Sequence, residues 1–450
     1  MSSLRLRPVP EMRVPEMRLV ALRSFTARAA SCAEGRFSRS LGRVGGVLLA
    51  AAVCACQSLG ASANPEVPQW VHRASGSMQL VYSRSVLAAS RAIGEPYERG
   101  GTELDPQHRR VFAGSRDHGM YALRAQDGSV LWRFETLGPA QSEPFYDARE
   151  DSLYFGSNDG ALYKVSAATG SLYWRFATGA EVSRRVVLDD GLVYAVNAND
   201  TLIAINAKTG AMVWNQHRSP ALGMEVAGYA GPLVWRGMAF TAFSDGSVTA
   251  YDAKSGEERW APVDLSAAAE QTLGEVPTYL DVDTTPVPDT LDNQPVIYVA
   301  SYEGGVFALN ADTGARVWSN PAVRGASELD LWQQPEHPSR QGGPPVPARK
   351  LLIVSTGTSG LWAVDPENGN EVWHRAVPLA GASRVVPVQG ALMFSTTRQG
   401  LFLLSPLDGR VIDGIHTGEG FSMPPSVYGQ RAFIVSNGGR FYSFHIEPPI

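Results

Sequence analysis

Leu202-Ile203-Ala204-Ile205-Asn206-Ala207-Lys208-Thr209-Gly210-Ala211-Met212-Val213-Trp214 reads as an apolar strand, a turn ending on Gly210 and a second strand that reaches Trp214 four residues later. The phrase recurs along the chain. Gly128 leads to Trp132, Gly170 to Trp174, Gly256 to Trp260, Gly314 to Trp318 and Gly369 to Trp373, always over four residues. A seventh copy, Leu403 to Gly409, keeps the strand and turn but has Asp413 in the tryptophan position.

Around each copy the sequence supplies two more short strands. In the second unit these are Glu143–Tyr146 and Ser152–Gly156, followed by an Asn158-Asp159-Gly160 turn, the strand Ala161–Val165 and the strand Leu172–Ala177. Alternating apolar residues bounded by Gly and Asp turns are strand signals, and glycine supplies the positive φ of a tight hairpin. Outside the N-terminal region no helical period is sustained. The repeat glycines lie 42, 40, 46, 58, 55 and 40 residues apart, the period of four-stranded propeller blades. The two long intervals place insertions near residues 262–280 and 326–347. The second, Gln333 to Ala348, reads as an irregular loop from its Pro and Gly content.

The two ends fix the count. Ser422 to Ile446 supplies three strands, and Val67–Arg73 reads as the missing fourth, with Trp70 in the tryptophan position. Pairing them removes a free sheet edge. The expectation is an all-β, eight-bladed propeller over residues 67–450. Trp70, Trp132, Trp174, Trp214, Trp260, Trp318 and Trp373 fill the wedges between blades, each indole N–H finding a carbonyl.

The first 56 residues differ. Residues 1–43 are rich in Arg and Ser with three acids, Glu11, Glu16 and Glu34, and Val44 to Cys56 is an apolar run too short to span a membrane. This is the pattern of a secretory signal, with the start codon open between Met1 and Met17. Val53-Cys54-Ala55-Cys56 resembles a lipobox with Cys56 as the lipid attachment site. Cleavage after Ala63, giving a soluble periplasmic form, is the alternative. Residues 57–66 then form a tether. The chain holds three cysteines, Cys32, Cys54 and Cys56, so the propeller has neither a disulfide nor a cysteine zinc site.

A formal net charge of −5 gives no electrostatic footprint for nucleic acid. Eight histidines are scattered without metal spacing, and no Ser, His and Asp set stands out. The residues imply no cofactor and no metal site. Asp281 and Asp283, two apart in an extended segment, point the same way. They either accept charge-assisted bonds from a partner's Arg or Lys, or they cap turns or balance Arg184, Arg185 and Arg384 at the channel mouth.

The repeats resemble those of quinoprotein-type propellers, which include quinone-dependent dehydrogenases and non-enzymatic members. Asp281-Val282-Asp283-Thr284-Thr285-Pro286, the following Val306-Phe307-Ala308-Leu309-Asn310, Ala180–Arg184 and Gly420 to Tyr442 resemble the BamB family more specifically. The resemblance implies a non-enzymatic lipoprotein scaffold at the periplasmic face of the outer membrane. Its partner would be the central barrel-inserting subunit of the β-barrel assembly complex. It further implies a docking surface of two loops, one holding Asp281 and Asp283. The other holds Leu222, Met224 and Glu225, where Glu225 stands in place of the family's Arg. The competing readings are a quinone dehydrogenase and an envelope propeller with another partner. The dehydrogenases carry an adjacent cysteine pair that this domain lacks.

Overall fold

The computed structural model describes residues 76–86, 97–219, 229–267, 270, 274, 279, 281–336, 345–377 and 381–448. Within them, 32 strands form eight four-stranded antiparallel sheets. Blade 1 spans Thr102–Glu135, blade 2 Phe145–Ala177, blade 3 Val187–His217, blade 4 Leu233–Asp264, blade 5 Val287–Asn320, blade 6 Ala326–Arg375 and blade 7 Val386–Ile415. Blade 8 joins Ser426–Ile446 to Met78–Ser85.

The core is not a single mass. The buried apolar residues form eight clusters, each shared by two neighbouring blades. Each blade therefore completes its apolar packing on its neighbours, as in other repeat architectures.

The Gly-to-Trp phrase makes each junction specific. Trp132 Nε1 donates to the Ala167 carbonyl, Trp174 to Ala207, Trp214 to Ala253, Trp260 to Ala311, Trp318 to Pro366 and Trp373 to Pro406, all at 2.9–3.0 Å. Each acceptor lies three residues before the repeat glycine of the next blade, and that glycine lies against the same indole. A Cβ on Gly210 would come within 2.8 Å of Trp174 Cγ, and Gly210 has φ +72°. Glycine is thus required twice, by its left-handed backbone and by the ring over its Cα.

A bulge aims each tryptophan. Trp214 opposes Ala204, and Met212 opposes the next residue, Ile205, so Val213 is the extra residue. The same shift occurs beside Trp132, Trp174, Trp318 and Trp373. It explains why two successive residues, Met212 and Val213, are both half-exposed while Trp214 is buried.

Two sequence expectations are corrected. The closing strand is Met78–Ser85, not Val67–Arg73. It pairs with Arg440–Ile446 and bulges at Val81, which places Tyr82 in the tryptophan register. Tyr82 Oη donates to the Ala125 carbonyl at 2.9 Å and lies against Gly128, the contacts a tryptophan makes elsewhere. Trp70 and Cys56 lie outside the described residues. Asp413, the residue without an indole, accepts the N–H of Met78 at 2.8 Å and so fastens the start of the closing strand. The expected loop Gln333 to Ala348 is corrected at its start: Gln333 and Gln334 belong to the strand Ala326–Gln334, which pairs with Arg349–Thr356 in blade 6 and buries Trp332. Residues 337–344 of that loop lie outside the described residues.

Gly210→Ala is expected to lose about 1–2 kcal/mol from the left-handed backbone and about 1–3 more from the indole contact. Gly191→Ala, at φ +78° with nothing within 4 Å, should lose only the first term. Urea melts of the two variants separate these costs, and equal losses would sink the contact argument. Tyr82→Phe should cost about 1 kcal/mol in the same measurement.

Candidate docking loops and axial charges

The Asp281–Pro286 loop leads into the first strand of blade 5 and is held at several points. Val282 is buried in the cluster between blades 4 and 5. Thr284 Oγ1 accepts the Ala300 N–H at 2.9 Å. Thr285 Oγ1 accepts the Gly231 N–H at 2.9 Å, joining the loop to the approach of blade 4. The Asp281 carbonyl accepts the Tyr302 N–H. With the backbone fixed, the two carboxylates have little freedom to find partners elsewhere.

Arg184 ties three approaches together. Its Nε donates to the Tyr229 carbonyl at 2.7 Å and its Nη2 to the Asp283 carbonyl at 2.9 Å, while Nη1 pairs with Glu328 of blade 6. Tyr229 Oη accepts from Ser183 N and donates to the Glu181 carbonyl. Ala180–Arg184, Tyr229–Gly231 and Asp281–Thr285 are therefore one bonded surface at the approaches to blades 3, 4 and 5.

The carboxylates themselves are poorly served. Asp281 is 2% exposed and Asp283 is half-buried. Asp281 Oδ2 and Asp283 Oδ1 are buried and accept no hydrogen bond. Arg184 reaches the main-chain carbonyl of Asp283 rather than these oxygens. Burial, reinforced by the charge of Asp200, pushes Asp281 up to about 6. Burial and Asp281 push Asp283 up to about 6, with Arg184 pulling the other way. Leu222, Met224 and Glu225 lie outside the described residues.

Nearer the axis the charges are spent on one another. Arg185 pairs with Glu103 of blade 1, and Arg384 lies 3.7 Å from Glu143 and 3.8 Å from Asp330. Arg184–Glu328, Arg185–Glu103 and Arg384–Glu143 join blades that are not neighbours, whereas Arg384–Asp330 joins blades 6 and 7. Glu143, Arg185, Glu328, Asp330 and Arg384 line a cavity of about 350 Å³. Burial pushes Asp330 up to about 8, against the pull of Arg384. The sequence brought out the three arginines but not their acidic partners. The available signal was register: Glu143, Arg185 and Arg384 each stand two residues ahead of a blade's first strand. A quinone with its calcium ion needs several uncommitted carboxylate and amide oxygens around a slot. These axial carboxylates face arginines and do not fit it. Among the described residues one group has metal-capable donors in close array, Asp105, His108 and Asp151. The Arg110 guanidinium lies between its carboxylates, 2.6 Å from Asp105.

The model of the family described as outer membrane protein assembly factor BamB matches residues 116–373 and 271–448. The assembly factor BamB of Yersinia pestis is 24% identical over 77% of this chain and 71% of its own. A quinohemoprotein alcohol dehydrogenase of Pseudomonas putida is also 24% identical, over 44% of this chain and 32% of its own. The crystal structure of BamB from Moraxella catarrhalis superposes with a TM-score of 0.62 at 17% identity, covering 82% of this chain and all of that one. With family matches running from blade 1 to blade 8, this chain belongs to the BamB family of outer-membrane protein assembly factors.

Proposed function

We propose that the chain is a non-enzymatic scaffold of outer-membrane β-barrel assembly. In this reading it docks on the periplasmic domains of the central barrel-inserting subunit, and a lipid on Cys56 holds it at the outer membrane. The observation that carries the docking assignment is the pair of buried carboxylate oxygens without a donor, on a loop that cannot rearrange to find one. An unmet buried acceptor costs about 1–3 kcal/mol, more when charged. A guanidinium or ammonium arriving from a partner removes that cost. Asp283, the more exposed residue, makes the contact, and Asp281 acts beneath it through its charge. Leu222, Met224 and Glu225 precede Tyr229 in the sequence and would supply the apolar centre and rim of the interface.

Affinity purification from detergent-solubilised envelopes tests the function. Recovery of the barrel-assembly subunits is expected, and another partner in their place would sink it. Asp281 and Asp283 have folded-state values above the ordinary carboxylate range, so folding favours their neutral forms. Their favourable contribution is present in full below about pH 4 and is lost as pH rises through about 6. Asp281→Asn should therefore raise the melting temperature at pH 7.5 while weakening co-purification. In the unaltered protein, docking should weaken as pH falls through 6, whereas Asp281→Asn/Asp283→Asn should be weak throughout. Full retention of the partner by the double variant would refute the assignment.

A further inference from the structure

Blade 6 departs from the other blades at the end of the ring remote from Asp281. Its second strand, Arg349–Thr356, is eight residues long, but its third, Leu361–Val364, covers only Leu352 to Ser355. Leu351, Lys350 and Arg349 are paired on one side alone, with Trp332, Gln333 and Gln334.

In blades 1 to 5 the corresponding edge is closed by one further bond from the residue that follows the third strand. In blade 5, the Ala311 N–H donates to the Pro295 carbonyl at 2.9 Å, and the Ala125, Ala167, Ala207 and Ala253 N–H groups do the same in blades 1 to 4. The register gives Pro366 this position in blade 6, opposite Lys350. Proline has no N–H to give. In an antiparallel ladder the N–H and C=O of one residue face the same neighbour, so both main-chain groups of Lys350 face outward, away from Gln333. Blade 7 also has a proline here, Pro406, but its second strand ends at a tight turn and leaves no overhang.

A cavity of about 810 Å³ opens along this edge. The tip of blade 5's first hairpin, with Asp292, forms its far wall, and Val317 and Val372 are half-exposed within it. Its charge is one-sided. Among the described residues that line it, the carboxylates are Asp292, Asp365 and Glu367 and the cations Arg349 and Lys350. The Lys350 ammonium is held 2.6 Å from the buried Asp289, which also fastens the overhang to blade 5.

We propose that this groove binds an extended peptide segment as an added strand beside Lys350. The side chains of that segment would alternate between apolar residues, resting on Val317 and Val372, and basic residues, facing Asp292 and Glu367. Added strands gain affinity from main-chain bonds and selectivity from alternate side chains. The site lies at the opposite end of blade 5's first strand from Asp281 and does not depend on the docking loop.

The test is fluorescence anisotropy with the full chain and a labelled peptide of alternating valine and lysine, against one of alternating valine and glutamate. Saturable binding of the first is expected, at least tenfold tighter than the second. Pro366→Ala supplies the missing N–H and keeps the carbonyl that accepts Trp318 Nε1. It should weaken binding at least fivefold. Asp292→Asn/Glu367→Gln should erase the preference between peptides. Hydrogen exchange on the unaltered protein should show the Lys350 amide slowed by the valine–lysine peptide, and this readout stands if Pro366→Ala folds poorly. No binding at low salt, equal binding of both peptides, or an unprotected Lys350 amide under saturating peptide would each overturn the proposal.

Discussion

The junction between an indole and a glycine turn carries the ring. Blades 1 to 6 each give the next blade one indole N–H and one aromatic face, received on a carbonyl and a bare Cα three residues apart. The hydrogen bond alone contributes only about 1 kcal/mol. Its importance lies in repetition and fit: the glycine cannot gain a Cβ without striking the indole, and the indole cannot shift without losing its acceptor. The junction therefore sets the spacing between blades, and the apolar cluster around it fills a wedge of fixed shape. Where the chain passes from one terminus to the other, the same geometry is met with different atoms. Tyr82 replaces indole N–H with a phenol O–H, and Asp413 replaces an indole with a carboxylate that holds the Met78 N–H.

A ring fixed at its outer junctions leaves its axial approaches free to vary. Arg184, Arg185 and Arg384 occupy those approaches, and their partners Glu328, Glu103 and Glu143 belong to blades two or three places away. Nearest-neighbour packing couples blade to blade, whereas these pairs couple across the axis. Buried ion pairs are weak contributors to stability in themselves, because desolvation offsets the attraction. Removing one partner is a different matter, since it leaves an uncompensated charge. The pairs thus restrict which approach can stand beside which.

The sequence made the repeat legible because the junction depends on local spacing: glycine, three residues, tryptophan. It misread the closing strand because that pairing spans more than 350 residues, from Gln79 to His445, and carries no local mark. Val67–Arg73 displayed a tryptophan, while the strand that closes the ring displays a tyrosine. The end of the strand Ala326–Gln334 was missed because the proline- and glycine-rich sequence that follows it outweighed the apolar Leu329, Leu331 and Trp332. The Asp281 loop was legible as a motif. What could not be read was its burial, because that depends on Val282 and Thr284 packing into blades whose positions the repeat alone does not give.

Burial changes what those aspartates mean. A surface carboxylate is solvated and carries little information about a partner. Asp281 and Asp283 are held in place by neighbours that bond the backbone and leave side-chain oxygens unmatched, so the loop carries a cost that the fold does not relieve. Such a cost persists only where the surrounding structure over-determines the geometry. Here the Thr284, Thr285 and Tyr302 bonds do so. The carboxylates are consequently oriented before any partner arrives, and an incoming cation would not have to order them. The same rigidity that makes the ring indifferent to its loops allows one loop to remain unsatisfied.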